Sequence, residues 1–527
     1  MLLIDGHHLT IEEVVAVARH GEPVRLAPAA KARMTQSYTW VEHIVRQDQP
    51  VYGINTGFGV FAERRIPNET SARLSRNLIL SHAVATGPAL PEEVVRAAML
   101  IRANTLALGH SGIRPEVVET LLEMLNRGVT PEVPSQGSMG SSGDLAPLAH
   151  LALVLTTDEA DRVEDSGWAW YQGRRMRGKA AMQAAGLSRW VLGPKEGLAL
   201  INGATFSAAL LALAVHDAAL LLDLANITLS MTLEALRGVS AAFDPRIHLA
   251  RRHPGQMESA RRVRQLTAGS TLLDAAGRVQ DAYSLRCAPQ VHGATRDAWR
   301  FVSEVVTREI NAVTDNPLLF GLDAVLSGGN FHGEPTAMAA DFLSIALTEL
   351  AAVAERRLFR LTDGKLNDGL PGMLVDPPEA AGLNSGLMLV QYTAASLVLE
   401  NQTLSSPDSV RSLPTSGEQE DHNANAMNAA RHARRVVANT AHVLAAEAYT
   451  AARALDLRLR AAPEARLGRG VAVAWQAIRE VVLYQAGDAL WGPEIERVRQ
   501  RVTQPAFVHR VLRAADLSPT LPPAQVT

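Results

Sequence analysis

The chain has 527 residues, 47% of them hydrophobic and only 5% aromatic, with 51 basic against 54 acidic side chains and a net charge of −3. This supplies a large core packed by Leu, Ala and Val, and it gives no electrostatic footprint for nucleic acid or an anionic membrane surface. The single cysteine, Cys287, excludes an intrachain disulfide, and residues 1–8 lack the basic-then-apolar pattern of a signal peptide, so a reducing cytoplasm is expected.

Up to about residue 50, short strand-like pieces alternate with amphipathic helix. Residues 51–61, Val-Tyr-Gly-Ile-Asn-Thr-Gly-Phe-Gly-Val-Phe, then set glycines around Tyr52. Glycines let a loop lie close to a ligand, and a phenol between them can reach into a site or simply half-bury as packing. Helical spacing follows over 74–83, ending at Ser81-His82, and Pro91-Glu92-Glu93 starts a further helix.

Residues 135–150, Ser-Gln-Gly-Ser-Met-Gly-Ser-Ser-Gly-Asp-Leu-Ala-Pro-Leu-Ala-His, form a loop feeding a helix, with Asp144 as its expected N-cap. The positive end of that helix faces the loop. Such a loop can be a plain connector. It is a poor phosphate cradle, because no Lys follows the last glycine. It also permits backbone cyclisation: the Gly143 nitrogen, unhindered by a Cβ, can attack the Ser141 carbonyl, and Ser142 can lose water to leave an exocyclic methylene, an electrophile made from the chain.

Residues 157–180 predict a polar surface hairpin around Trp168, Trp170 and Tyr171. From about Lys195 onward, apolar residues recur at helical spacing over 204–236, 335–360, 384–402 and 424–455, which predicts a bundle of long helices. The first of these is interrupted by His216, Asp217, Asp223, Asn226 and Glu234, the mark of a buried helix rather than a membrane span. Arg251, Arg252, Arg261, Arg262 and Arg264 read as a solvated helix face. Wide apolar faces over 337–350 and 429–446 predict contacts with other subunits. The expected organisation is an N-terminal region 1–200 carrying the glycine-serine loop, a central bundle 201–460 and a C-terminal helical region 461–527.

The connections between the helices are rich in amides, phenols and imidazoles: Ile201-Asn202-Gly203, then Gln280-Asp281-Ala282-Tyr283-Ser284-Leu285-Arg286, Thr314-Asp315-Asn316-Pro317, Ser327 to His332, and Pro414 to Asn423. Each alone reads as caps and turns; their number points to a site. His292, His332 and His422 stand apart without a metal-ligand spacing, and there is no Gly-x-Ser-x-Gly elbow, so neither a metal centre nor a serine hydrolase is expected. Elimination chemistry fits better.

Taken together, Tyr-Gly-Ile-Asn-Thr-Gly-Phe-Gly at 52–59, Gly-Asp-Leu-Ala-Pro-Leu-Ala-His at 143–150, Gln-Asp-Ala-Tyr-Ser-Leu-Arg at 280–286 and Gly-Gly-Asn-Phe-His at 328–332 resemble the aromatic amino acid lyases that carry a methylidene-imidazolone group (MIO). The likeness runs from about residue 10 to 460. It implies a mainly α, long-helix bundle of the fumarase/aspartase-like type with a smaller α/β N-terminal region, assembled as a homotetramer with shared sites. It also implies a ring formed from Ser141, Ser142 and Gly143, no metal, and Tyr52 as a base whose pKa must fall from about 10. Arg286 matches the group that clamps the substrate carboxylate, Asn202 and Tyr283 lie around the electrophile, Gln280 and Asn316 are supporting polar groups, and Phe331 is an apolar wall. Ser81-His82 and Glu420 match the histidine-specific members, which implies elimination of ammonia from L-histidine to give urocanate. An apolar ring would leave such a carboxylate poorly solvated.

Departures from the family pattern are Ser141 in place of alanine, Ala204-Thr205-Phe206, Asn423-Ala424-Asn425 and Arg411. They keep open another β-aryl amino acid substrate, including a histidine derivative, and a 2,3-aminomutase. A fumarase-like lyase lacks its Met-Pro-x-Lys-x-Asn continuation here, and an inactive assembly homologue would lack the ring. Two outcomes are expected of the ring: the intact mass falls short of the sequence mass by two waters, and Ser142→Ala abolishes turnover while leaving the fold intact. A full-mass chain, or unchanged turnover in the variant, overturns it.

Overall fold

The computed structural model describes residues 1–47 and 50–521; the last six residues of the expected C-terminal region, 522–527, lie outside the described residues. The helices that position the site are α1 (Glu92–Ala107), α2 (Leu145–Leu155), α3 (Thr205–Ala235), α4 (Ala288–Glu309), α5 (Glu334–Thr362), α6 (Met388–Leu404) and α7 (Ala426–Ala461). The predicted long segments are thus present, shifted by a few residues at their ends. The expected hairpin is also there, with β1 (Trp168–Tyr171) pairing antiparallel to β2 (Arg174–Arg177) across Gln172-Gly173. Its Trp168 ring lies between the guanidinium groups of Arg175 and Arg177, at 3.9 and 4.2 Å. Other strands are short, such as the parallel pair Leu2–Ile4 and Val24–Leu26 that opens the smaller α/β region.

Helix α3 is the axis of the bundle. Along its 31 residues only His216, Asp217 and Leu220 reach partial exposure, because α1, α4, α5 and α7 all pack against it. Both α3 and α5 are long and apolar enough to cross a membrane, but most of each apolar window is buried against neighbouring helices. A helix surrounded by other helices reads as apolar on every side for the same reason a spanning helix does.

The polar residues that interrupt α3 are its docking points. Asp217 accepts from Arg19 at 2.6 and 2.8 Å and from Arg434 at 3.0 Å, joining the N-terminal helix Ile11–His20 to α7. Asp223 accepts from Arg296 and the Thr520 backbone at 3.1 and 2.7 Å and pairs in charge with Arg262 at 3.0 Å, holding the C-terminal segment. Asn226 accepts from Ser259 at 2.7 Å, and Glu234 accepts the Gly468 N–H at 3.0 Å, with burial pushing its carboxyl up to about 8. Arg262 is therefore not part of a solvated face. It is 3% exposed, because the Asp223 carboxylate draws it inward, while Arg251 and Arg252 on the same stretch are exposed.

Deep in the bundle, Glu447 on α7 and Arg357 on α5 are both fully buried and paired through two N–H donors at 2.5 and 2.9 Å. Thr228 and Thr232 of α3 donate to the same carboxylate at 2.8 and 2.9 Å. Breaking a buried pair from one side strands the other charge, at a cost of about 3–5 kcal/mol. Glu447→Ala is therefore expected to lower the apparent melting temperature steeply in scanning fluorimetry, whereas replacing both partners with apolar residues recovers much of that loss. A single variant that melts like the parent contradicts this account.

Candidate active site

The loop before α2 is shaped by close backbone approach. Gly143, at φ +86°, pairs as an isolated parallel bridge with Gly203; a Cβ on Gly143 would lie 2.1 Å from the Gly203 nitrogen. A Cβ on Gly203, at φ +137°, would lie 2.6 Å from Thr314 O. Neither position admits a side chain. The Asp144 N–H donates to Gly203 O at 2.8 Å, and Asn202 Nδ2 donates to Ser142 O at 2.7 Å. On the opposite side, the Gly333 N–H donates to Gly140 O at 2.8 Å and the Ala426 N–H to Met139 O at 3.0 Å.

Asp144 occupies the N-cap position of α2, but its side chain does not cap that helix. It reaches across to α3 and accepts the Ser207 N–H at 2.8 Å and the Ser207 hydroxyl at 3.0 Å, and it also accepts the Ser138 hydroxyl at 2.7 Å. Burial pushes its carboxyl above the usual range, and these donors pull it back. One residue of the loop thus supplies the cap that α3, beginning at Ala204-Thr205, does not provide for itself.

Against this loop opens a cavity of about 1260 Å³ lined by Tyr52, Ser81, His82, Ser141, Ser142, Asn202, Asn316, Phe331 and Glu420. Residues singled out in distant stretches of sequence thus face one space. Asn316 is held by its neighbours: Asp315 Oδ1 accepts its backbone N–H at 2.7 Å, its Nδ2 donates to Ser327 at 3.0 Å and its Oδ1 accepts the Gly328 N–H at 2.7 Å. The Ser81 hydroxyl donates to Leu78 O at 3.2 Å and stands 3.0 Å from His82 Nδ1. Burial holds the His82 pKa below its usual value, so the ring is neutral near pH 7.

Two residues that line the cavity each carry a buried acceptor without a partner among the described residues: Glu420 Oε2 and Asn202 Oδ1. Burial raises the Tyr52 phenol above its usual pKa, a hydrogen bond with the Gly59 backbone lowers it, and the Glu420 charge raises it again. The expectation that neighbours within the chain depress this pKa is therefore not met. The physical reason is a half-buried phenol beside a carboxylate, with no compensating cation acting on it among the described residues.

Gln280, Tyr283 and Arg286 do not line the cavity. They lie just before α4, where Tyr283 is 70% exposed and the Arg286 guanidinium stacks over its ring at 4.7 Å. The sequence reading missed His332 and His422, which line the cavity as a parallel ring pair with centroids 6.0 Å apart. Both stand inside motifs already quoted, and adjacency to Phe331 and Glu420 was the available signal. It also missed a buried ion pair behind the Asn202-Gly203 turn, Lys195 to Asp315 at 2.7 Å with both side chains fully buried, for which the local sequence carries no signal. Burial pulls the nearby Arg102 down to about 10, against the opposing charge of Asp315.

The family model for aromatic amino acid lyases matches residues 9–480. A histidine ammonia-lyase of Caldanaerobacter subterraneus subsp. tengcongensis is 51% identical over 484 residues, covering 91% of this chain and 92% of that protein. Among solved structures, the histidine ammonia-lyase of Trypanosoma cruzi is 37% identical with a TM-score of 0.88, covering 99% of this chain and 96% of that one. The tyrosine aminomutase of Streptomyces globisporus is 35% identical with a TM-score of 0.90, covering 98% and 99%. With the long-helix architecture, the glycine-paired loop and matches over nearly its full length, the chain belongs to the aromatic amino acid lyase family.

Proposed function

We propose that the protein is a carbon–nitrogen lyase that converts L-histidine to urocanate and ammonia, using an MIO ring formed by Ser141, Ser142 and Gly143. The observation that carries the substrate is the unpartnered, buried Glu420 Oε2 on the wall of a cavity that His82 also lines. An imidazole brings an N–H to such an acceptor; a phenyl ring would leave it desolvated and unpaired. The surroundings of the tripeptide fit the ring: the Gly143 nitrogen has no side chain beside it, Ser142 O is already held by Asn202, and the cavity opens onto Ser142. When formed, the ring supplies an electrophile to which the substrate amine adds, making ammonia a leaving group.

The remaining roles fall to side chains. Asn202 holds Ser142 O through Nδ2 and offers its free Oδ1 to the substrate amine. Tyr52 takes the proton from the carbon next to the imidazole ring, and Phe331 closes the apolar side. Glu420 holds the imidazole. Gln280, Tyr283 and Arg286 act from another subunit of a homotetramer, Arg286 as the fork for the substrate carboxylate. That assignment is supported by the exposure of Tyr283 and by apolar side chains left open on α5 and α6, including Met338, Phe342, Ile345, Leu389, Tyr392 and Leu399. The positive charge needed to lower the Tyr52 pKa then arrives with the partner's guanidinium and the bound substrate. A lone half-buried cysteine is in keeping with a cytoplasmic enzyme.

Incubation with histidine is expected to release urocanate and ammonia, while phenylalanine and tyrosine release little; a β-amino acid in place of the unsaturated acid would favour a mutase. Glu420→Gln is expected to lower kcat/KM for histidine by about 10- to 100-fold, the usual loss for a hydrogen bond to a charged group. It also removes the negative charge that raises the Tyr52 pKa, so the phenolate forms more readily and the rising limb of the pH–rate profile moves to lower pH. A limb that stays in place, or moves up, overturns Tyr52 as the base under Glu420's influence.

A further inference from the structure

The fold brings Ser141, the first residue of the cyclising tripeptide, into contact with Asn423-Ala424-Asn425 at the exit of the Glu420 loop. Ser141 is 4% exposed, and its hydroxyl accepts the Ala424 N–H at 2.8 Å while donating to Met139 O at 3.3 Å. Ala424 is itself fully buried. An alanine at position 141 would have no acceptor to offer, and the Ala424 N–H would then be a buried donor without a partner.

Segment 412–424 is built to transmit that contact. The Asn423 N–H donates to Ser412 Oγ at 2.8 Å, Asn423 Nδ2 donates to Leu413 O, and the Thr415 N–H donates to Glu420 O at 2.9 Å. The segment therefore closes on itself as one loop that carries Glu420 into the cavity, with Ala424 at its exit into α7. Next to it, Gly140 at φ +65° packs so tightly on Ala426 that a Cβ would lie 2.6 Å from the Ala426 Cβ. Ser141 Oγ is the side-chain link between the ring-forming tripeptide and the Glu420 loop.

We propose that Ser141 is a positioning residue: its hydroxyl, kept as a substituent of the finished ring, ties the Glu420 loop to the electrophile and so fixes the imidazole between them. Cyclisation leaves that hydroxyl untouched. The Gly143 nitrogen bonds to the Ser141 carbonyl carbon, whose oxygen departs as water with the amide protons of Gly143 and Ser142. The Ser142 hydroxyl then departs as a second water with the Ser142 α-proton. Ser141 Oγ takes part in neither loss. The inference rests on the histidine reading above, but one of its measurements does not.

The test compares the whole enzyme with Ser141→Ala and Ser141→Thr by intact mass, by hydrogen exchange at the Ala424 amide and by KM and kcat for histidine. Both variants are expected to lose two waters. The Ala424 amide is expected to exchange faster in Ser141→Ala and at about the parental rate in Ser141→Thr. KM for histidine is expected to rise about fivefold in Ser141→Ala, the loss of one ordinary hydrogen bond, by a larger factor than kcat falls, and to recover in Ser141→Thr. Unchanged exchange in Ser141→Ala, equal impairment in both variants, or failure of Ser141→Ala to cyclise overturns the proposal. If the parent enzyme does not act on histidine, the substrate reading fails while the exchange measurement still decides whether Ser141 holds the loop.

Discussion

The contact of Gly143 with Gly203 is the constraint on which the rest of the site depends. Two backbones approach closer than any Cβ allows, and that approach places the Ser142 carbonyl against Asn202 at the entrance to the central helix. From there the loop is pinned again by Gly333 at the start of α5 and by Ala426 at the start of α7. Helices α2, α3, α5 and α7 therefore begin around the same few residues. At the start of α5 and α7 the Gly333 and Ala426 N–H groups are taken up by Gly140 O and Met139 O, and in the first turn of α3 the Ser207 N–H is taken up by Asp144, so the loop is held by the orphan donors that open these helices.

Buried charge reinforces this arrangement at a distance. The fully buried Lys195–Asp315 pair holds the backbone of Asn316, and Asp144 substitutes for the missing cap of α3. Each of these groups is far from water, so each must be fully partnered to be tolerated, and that requirement fixes the strand of chain it partners. The same logic scales up the bundle, where Asp217, Asp223, Asn226 and Glu234 of α3 each bind a different part of the chain. The central helix is held in register by its few polar residues rather than by its many apolar ones, since apolar contacts tolerate small slips and a buried carboxylate does not.

Within the cavity, the surroundings of Tyr52 work against its ionisation. Burial and the Glu420 charge both push its phenol pKa up, and Arg286, stacked over the exposed Tyr283 ring, lies outside the cavity. Exposed apolar rows on α5 and α6 leave surface that burial against another apolar face would stabilise.

Helix positions, the hairpin and the chemistry-bearing stretches were legible in the sequence because each rests on local patterning: apolar spacing, turn residues and glycines where the backbone must turn. The family resemblance also picked out residues that now face one cavity, from Tyr52 to Glu420, although nothing local connects them. What the sequence could not decide is which partner each polar group takes. Asp144 reads as the cap of its own helix and instead caps another; Arg262 reads as solvated and is drawn into the core by Asp223; His332 and His422 read as unrelated and stack. By itself the sequence determined the elements and the chemical inventory, since these follow from residue type and spacing. Only the tertiary structure decided the pairings, the direction of the Tyr52 shift and the contact of Ser141 with Ala424, because burial and charge act through space between segments hundreds of residues apart.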